Sequence, residues 1–285
     1  MKNLLNFLFL LSCALSFNVK AQQGVFQPGD YKDGVYDKEN AVNRRYIPYT
    51  HLREADVTWE KRVWRDLDMR EKQNQALYFP KTDLPGRVSF IQLIVKNVLA
   101  GKIIAFSDEE FIEDYDVVKV KGLFITAADS VETPQYDSAG NEFLVKTLKP
   151  ADSTWYYENF CSLQLKEDWF FDKEKSSLEV RIVGLGLSFL PNGKEDAGCQ
   201  NFFWVYYPAC RPLFAKYEVF NTKNDSERRT YEDIFWKRQF ASRIVKESNV
   251  YNRRIDNYAK GIEALLESDK IKGDIFRLEH DLWQF

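Results

Sequence analysis

The side chains that could carry acid–base, metal or triad chemistry are few and lie far apart in the chain. His51 and His280 are the two histidines of the sequence, and neither has the i, i+4 partner or C-x-x-C neighbour of a typical metal site. His280 precedes Asp281 in the terminal stretch EHDLWQF, but adjacent residues of a helix point in different directions, which is poor triad geometry. We predict that His280 is a polar side chain at the edge of a docked terminal helix, where Leu282 and Trp283 pack inward.

Short motifs of catalytic and nucleotide-binding sites are missing. The sequence has no G-x-G-x-x-G, Walker A, G-x-S-x-G or H-E-x-x-H pattern. The acidic stretch SDEEFIEDYD lacks the alternating ligands and central glycine of an EF-hand loop. We therefore predict no catalytic, metal or cofactor site. Two alternatives stay open, because 43 acidic residues allow a carboxylate pair of an exported hydrolase and the aromatic residues could line the groove of a carbohydrate-binding protein.

The first residues predict export. MKNLLNFLFLLSCALSFNVKAQQG combines Lys2, an apolar run from Leu4 to Leu11, and a site ending at Ala21 that a signal peptidase accepts. We predict a signal peptide over residues 1–21, cleaved after Ala21; the rival interpretation is a lipobox at Cys13. The apolar run is shorter than the ~20 residues that cross a bilayer, so we expect no direct membrane insertion.

Three cysteines follow the predicted cleavage site: Cys161, Cys199 and Cys210. An odd number cannot complete a disulfide framework in an oxidising compartment. A hairpin could bring Cys199 and Cys210 together as a disulfide. The alternative, buried cysteines that pack as small apolar side chains, is at least as consistent with the sequence.

Composition favours a globular protein with protein partners. Hydrophobic residues make up 45% of the chain, and 40 Lys and Arg against 43 Asp and Glu give a net charge of -3. A nucleic-acid partner is not expected, because it would require a concentrated basic surface.

The pattern of apolar residues predicts an α+β fold, with a central, mainly antiparallel sheet, N-terminal helices and a helical C-terminal tail. Residues 22–46 are predicted to be a flexible arm, and residues 47–285 a single domain whose C-terminal helical part covers about 225–285. Helices are expected over 57–71, over 88–98 and from Ser107. Strands are expected over 117–127, 160–172, 176–190, 201–209 and 213–221, with a turn at 135–141 and close backbone approach at Gly184 and Gly186.

Arginine-rich segments between aromatic residues are the candidates for protein contacts, because both residue types are enriched at interface hot spots. We select three pairs, one in the arm, one at a helix start and one before the last long helix. They are Arg44 and Arg45, Arg228 and Arg229, and Arg253 and Arg254.

Long strings of the chain resemble one known family. KEDWFFDKEKSSLEVRIVG, WVYYPACR, AKYEVFNTKNDSERRTYEDIFWKRQFASRIVKESNVYNRRI and YAKGIEALLESDKIKGDIFRLEHDLWQF look like hallmark stretches of the GldN/PorN family, and WEKRVWRDLDMREKQNQALYFP is similar to its usual opening. The family comprises gliding-motility and type IX secretion proteins of Bacteroidota. The resemblance extends from about Tyr46 to Phe285.

This resemblance implies a periplasmic structural subunit without enzymatic activity. It implies a ring built with the outer-membrane lipoprotein GldK/PorK, self-association within that ring, and contact with the periplasmic domain of GldM/PorM. It also implies that the protein is not itself a lipoprotein, which agrees with cleavage after Ala21. Attachment to the inner face of the outer membrane would then come from the lipoprotein partner.

Overall fold

A computed structural model gives the fold. It describes residues 44–82, 84, 87–124, 130–136, 142–148, 153–191, 198–221, 224 and 226–282. The predicted signal peptide, Cys13, most of the predicted arm and the terminal residues 283–285 lie outside these ranges, as does the side chain of Leu282. The described residues belong to one compact unit.

Helices and strands alternate irregularly along the chain. The helices are α1 Gln75–Tyr78, α2 Phe90–Leu99, α3 Val117–Leu123, α4 Ser153–Glu158, α5 Tyr207–Phe214, α6 Tyr231–Trp236 and α7 Ile262–Leu282, with 3-10 turns at Glu54–Asp56 and Ile255–Asn257. The strands are β1 Val57–Asp68, β2 Ala105–Phe106, β3 Asp114–Tyr115, β4 Ser130–Tyr136, β5 Glu142–Leu148, β6 Phe160–Asp172, β7 Ser177–Phe189, β8 Gln200–Tyr206, β9 Glu218–Val219, β10 Arg229–Thr230 and β11 Arg243–Glu247.

The central sheet has seven strands in the order β11-β1-β6-β7-β8-β2-β3. Every neighbouring pair in it is antiparallel. The predicted α+β class and the predicted strands β6, β7 and β8 are confirmed. β4 and β5 pair with each other, while residues 137–141 of the predicted turn between them lie outside the described ranges.

The helix predicted over residues 57–71 is wrong, because this segment is strand β1. Trp59, Val63 and Leu67 repeat every four residues, and that spacing places them on one face of a strand as well as of a helix. The charged residues between them find partners on neighbouring strands: Lys61 pairs with Glu247 of β11 at 2.9 Å. The sequence could not show those cross-strand partners.

Two further predictions near the N-terminal half are wrong. Residues 107–110 form bends and a turn instead of a helix, since Phe111 adopts a positive φ of 59° that a helix cannot continue. The predicted strand at 117–127 begins with helix α3, which buries Val120 and is followed by the buried ring of Phe124. The predicted helix at 88–98 is confirmed as α2, with Ser89 accepting a hydrogen bond from the Gln92 amide as its N-cap.

The C-terminal part is less helical than predicted. Residues 225–285 contain β10 and β11, and the strand predicted over 213–221 is reduced to β9 because α5 continues to Phe214. Thr230 and Asp233 form a capping box at the start of α6. The predicted helical tail ends in one long helix, α7.

Two apolar clusters cover one face of the sheet. The larger packs α2, α5 and α6 onto residues such as Leu67 and Leu165, and the smaller packs α7 onto Val63 and Ile244. Val63 and Leu67 lie four residues apart in β1, so they share a face. Burying such side chains contributes about 1.5–3 kcal/mol each, which makes α7 part of the folded domain.

Close backbone approach is observed at both glycines of β7. A Cβ at Gly184 would lie 2.5 Å from the ring of Phe111, and a Cβ at Gly186 would lie 2.9 Å from the indole of Trp204. These aromatic rings pack directly on the backbone of β7, so a side chain at either glycine would force its neighbours to shift.

The considered pairing of Cys199 with Cys210 is corrected by the structure. Cys199 forms a disulfide with Cys161, at a Cα–Cα distance of 6.1 Å. Cys210 is a buried free thiol in α5, where burial raises its pKa to about 12. The hairpin argument failed because β8 leads directly into a helix, which directs Cys210 into the core.

Candidate interaction surfaces

The first described residues form a strap, residues 44–50, that lies across the domain. Arg44 anchors it: the guanidinium donates to the carbonyl of Arg228 at 2.7 Å and pairs with the carboxylate of Asp233 at 2.9 Å. At its other end, Arg181 donates to the carbonyl of Thr50 at 2.9 Å. The strap is therefore fixed to α6 and to β7.

A buried arginine holds the middle of the strap. Arg211 of α5 is 1% exposed and its Nε donates to Glu232 Oε1 at 2.7 Å. Its Nη2 donates to the carbonyl of Ile47 at 2.5 Å. Tyr207 completes the group by donating to Glu232 Oε2 at 2.9 Å, and burial raises the pKa of this tyrosine well above its usual value.

Aromatic rings surround the guanidinium of Arg211. Its Cζ lies 4.1 Å from the ring centroid of Tyr49 and 5.0 Å from those of Tyr46 and Trp236. The rings of Tyr49 and Trp236 stack at 5.6 Å, and burial raises the pKa of Tyr49 to about 12. Such cation–π contacts are strongest where water is excluded, so the strap is bound by charge and by aromatic packing together.

A second buried charge cluster lies between the two apolar clusters. The carboxylate of Glu167 is fully buried and pairs with Arg65 at 3.1 Å and with Arg238 at 2.9 Å. Trp169 Nε1 donates to the same carboxylate at 3.1 Å. Burial lowers the pKa of Arg65. Two guanidiniums share one carboxylate, which leaves excess positive charge at this point of the fold.

The backbone of Arg238 is strained. It has a φ of 52° at the end of α6, where Gln239 N bonds to the carbonyl of Ile234 at 2.8 Å. Glycine is the usual residue at this position of a helix end, and other residues there carry a cost of order 1 kcal/mol. Arg238 instead places its guanidinium over the rings of Trp169 and Phe240, at 5.2 and 5.3 Å.

A groove opens above this cluster, beside α7. We define the α7 groove by its thirteen lining residues, which enclose about 590 Å³: Arg65, Glu71, Trp169, Arg238, Phe240, Ala241, Ser242, Arg243, Leu265, Lys272, Ile275, Phe276 and Glu279. A second cavity of about 360 Å³ lies beneath the strap and shares Arg238 with the groove. The two cavities are thus neighbours.

The outward face of α7 is apolar. Ile262, Leu265, Leu266 and Phe276 are 76%, 49%, 63% and 68% exposed. Ile262, Leu265 and Leu266 recur at the three- and four-residue spacing of one helix face, and the structure places all three outward. The inward face is formed by other residues, chiefly Ile271 and Ile275. Exposed apolar side chains grouped on one helix face often mark interaction sites.

The six candidate arginines fall into two regions. Arg44, Arg228 and Arg229 lie near the strap, where Arg228 is 3.7 Å from Glu218 and Arg229 donates to Gln239 at 3.1 Å. Arg45 is exposed beside them. Their assignment to an interface stays a prediction.

The other two candidates lie in the segment before α7. Arg253 lies over the rings of Tyr251 and Tyr258 at 4.8 and 4.6 Å, and Arg254 precedes the 3-10 turn at Ile255–Asn257. Val250 in the same segment is 99% exposed. This region therefore presents aromatic and apolar side chains beside the two arginines.

The described residues show no arrangement of three or more His, Cys, Asp or Glu side chains that could hold a metal ion. His280 is exposed on α7, 3.9 Å from Asp281. None of the helices in these ranges combines the length and the apolar composition of a bilayer-spanning segment.

Sequence reasoning missed the two buried charge clusters. One signal was available: Arg211 is the single charge in the otherwise apolar helix YPACRPLF, and a buried charge requires a partner. Neither Glu232 nor the cluster around Glu167 could be paired from sequence, since their partners are 21 and 71 residues away.

The described residues form an α+β domain with a fixed strap, two neighbouring cavities and an apolar helix face. The arginine and aromatic side chains that line these cavities are residue types enriched at interface hot spots. The chain matches the family model of the gliding motility associated protein GldN over residues 52–284, and it belongs to that family. This confirms the resemblance. No curated protein matches the chain.

Proposed function

We propose that the protein is a non-enzymatic structural subunit of the type IX secretion and gliding motility apparatus. Family membership over residues 52–284 is the observation that carries this proposal. The subunit assembles in the periplasm into a ring with a GldK/PorK-like outer-membrane lipoprotein, which attaches it to the inner face of that membrane. It contacts the periplasmic domain of a GldM/PorM-like partner and is exported by a signal peptide cleaved after Ala21.

Two surfaces support a role in assembly. The apolar face of α7 exposes Leu266 and Phe276 by 63% and 68%, and such side chains lose contact with water when a partner covers them. The segment around Arg253 adds arginine beside aromatic rings, the composition of interface hot spots.

A native pull-down of the tagged mature protein from envelope extracts tests the proposal. We expect an outer-membrane lipoprotein in stoichiometric amount and a particle much larger than the 33.6 kDa chain. A monomer without a partner would contradict the ring. Recovery of a soluble glycan or a hydrolysed substrate instead would favour the binding or hydrolytic alternatives.

Charge reversal refines the test. Arg45→Glu and Arg254→Glu change candidate residues that no described ion pair holds in place, and Lys216→Glu is the matched control on exposed surface. Loss of complex in the first two variants with retention in the control would assign the interface. Equal recovery from all three variants would remove these arginines from it.

A further inference from the structure

We propose that the free edge of strand β7, beside the strap, binds an extended acidic segment of a partner protein. The inference starts from the unequal pairing of this strand. β7 pairs with β6 over its whole length, from Ser177 to Phe189, whereas its pairing with β8 begins only at Gly184. Among the described residues, 177–183 therefore have a strand neighbour on one side only.

The chain turns away from this edge where β8 ends. β8 ends at Tyr206 and α5 begins at Tyr207, with Pro208 in its first turn. Because proline has no backbone N–H, it favours the start of a helix over continuation of the ladder. An unpaired strand edge offers backbone N–H and C=O groups to an extended chain, and addition of a strand to such an edge is a recurrent mode of peptide recognition.

The strap lies beside this edge without pairing with it. Residues 44–50 form no strand, and side chains connect them to this part of the sheet. Arg181 Nη2 donates to the carbonyl of Thr50 at 2.9 Å, and Lys175 Nζ donates to Thr50 Oγ1 at 2.9 Å. Residues 47–50 of the strap and 179–182 of β7 both line the cavity of about 360 Å³. That volume is within the range of ligand pockets, about 300–1,000 Å³.

The charges of this cavity favour an acidic ligand. Its lining has three cationic side chains, Lys175, Arg181 and Arg238, against one carboxylate, that of Glu179. Lys175 is paired with this carboxylate at 2.6 Å, and Arg238 is paired with Glu167 at 2.9 Å. Arg181 is thus the cation of the lining that has no carboxylate partner among the described residues.

The surroundings of Arg181 suit a carboxylate. Its Nε is buried without a hydrogen-bond partner in the described part of the chain, and its Cζ lies 5.0 Å from the ring centroids of Tyr49 and Phe170. Asp168, which is opposite Arg181 in the β6–β7 pair, accepts two hydrogen bonds from Arg62 at 2.6 and 2.8 Å. A buried donor without an acceptor is costly, and a carboxylate satisfies it with a charge-assisted hydrogen bond.

An extended acidic segment satisfies the backbone edge and the arginine together. Its backbone pairs with β7 at the usual strand spacing of ~4.8 Å, and one of its carboxylates reaches Arg181. Space beside the strap admits an extended chain more readily than the surface of a folded domain. This site is separate from the outward face of α7, so it goes beyond the contacts of the proposed function by adding backbone pairing.

Amide chemical shifts of the mature full-length protein test this binding. The probes are a capped hexapeptide of alternating glutamate and valine and its lysine–valine counterpart. We expect the glutamate peptide to shift the amides of Val180, Arg181 and Ile182, and the lysine peptide to leave them unchanged. No shift at these amides with about 1 mM glutamate peptide, or equal shifts with both peptides, would overturn the proposal.

N-methylated peptides test the backbone pairing. Two copies of the glutamate peptide are N-methylated, one at its odd and one at its even residues. The copy whose blocked amides face β7 should bind at least about tenfold more weakly, because it loses ladder hydrogen bonds. Undiminished binding of both copies would show that charge alone holds the peptide and would reject the strand edge as its site.

A matched pair of variants tests the contact with Arg181. Arg181→Gln keeps a donor for the carbonyl of Thr50 but removes the charge, and it should weaken binding of the glutamate peptide by about tenfold. Arg277→Gln is the control, since this arginine is exposed on α7 and does not line the cavity. A glutamine–valine peptide should lose the same factor on the wild type, which requires no change in the protein. Equal affinities throughout would contradict the pairing.

The protein alone tests the rival occupant, a second copy of this chain. Shifts of the same three amides as the protein concentration is raised without peptide, together with sedimentation as a dimer, would overturn the proposal in favour of self-association. A monomer whose amides do not change with concentration supports a segment of another protein. All these measurements use the isolated protein, so their failure would leave the assembly role that the pull-down tests unaffected.

Discussion

Replacement of Arg211 by methionine tests the attachment of the strap. The change removes a guanidinium that is 1% exposed and leaves the carboxylate of Glu232, 8% exposed at its side chain, without its ionic partner. Breaking a buried ion pair in this way costs about 3–5 kcal/mol. For a domain of this size, each kcal/mol lowers Tm by about 2–4 °C, so we expect a decrease of about 6–20 °C.

A double-mutant cycle separates the pair from lost packing. Arg211→Met combined with Glu232→Leu removes both charges, and we expect it to be less destabilising than the sum of the two single changes. The exposed Arg45→Met is the control and should change stability by at most about 0.5 kcal/mol. Urea unfolding measures stability, and limited proteolysis at residues 44–50 reports release of the strap. A single variant as stable as the Arg45 control, or strictly additive changes, would refute the reasoning.

Three further outcomes are expected. Replacing Cys161 and Cys199 with alanine should lower stability by about 4 kcal/mol, because the bond closes a loop with a sequence separation of 38; reducing agent should lower Tm of the wild type only. Gly186→Ala should lower the free energy of unfolding by about 1–3 kcal/mol, because its Cβ would contact a neighbouring indole. Gly122→Ala, with open space around it in α3, should raise the free energy of unfolding by about 0.5–1 kcal/mol. Thermal melts of both variants check these opposite signs. The pKa of Tyr49 is raised to about 12 in the folded state. Its contribution to stability is therefore complete below its ordinary pKa of 10 and is lost as pH rises from 10 towards 12. The stability of Tyr49→Phe should depend less on pH across that window, and a pH profile equal to that of the wild type would contradict the assignment.

Strands in which apolar and polar residues alternate could be predicted from the sequence, because this two-residue period is a local property of the chain. In β7, Leu178, Val180 and Ile182 alternate with Glu179 and Arg181, which no helix pattern explains. β1 could not be predicted, because a four-residue repeat satisfies both periods and the charges between its apolar residues suggested a solvated helix face. Their partners come from β6 and β11, which only the tertiary fold brings together.

The candidate interaction surfaces also have features that the sequence shows and features that it does not show. Family membership followed from long strings of rare residues, which are specific without any knowledge of contacts. The attachment of the strap by Arg211 could not be predicted from the sequence, because Arg211 contacts a backbone carbonyl 164 residues away and backbone groups carry no sequence signal. Residue type alone also gave no way to separate arginines that stabilise the fold from those on open surface, such as Arg45.

Helix α7 shows why periodicity finds an apolar face without identifying what covers it. Its inward face packs on the sheet through Ile271 and Ile275, and Ser268 Oγ accepts a hydrogen bond from the amide of Ile244 at 2.9 Å. The opposite face exposes Leu266 and Phe276, although neither is required for the inward packing. A helix that is apolar on both sides is usually buried on both sides. The described residues cover the inward face of α7, and we expect an assembly partner to cover the outward one.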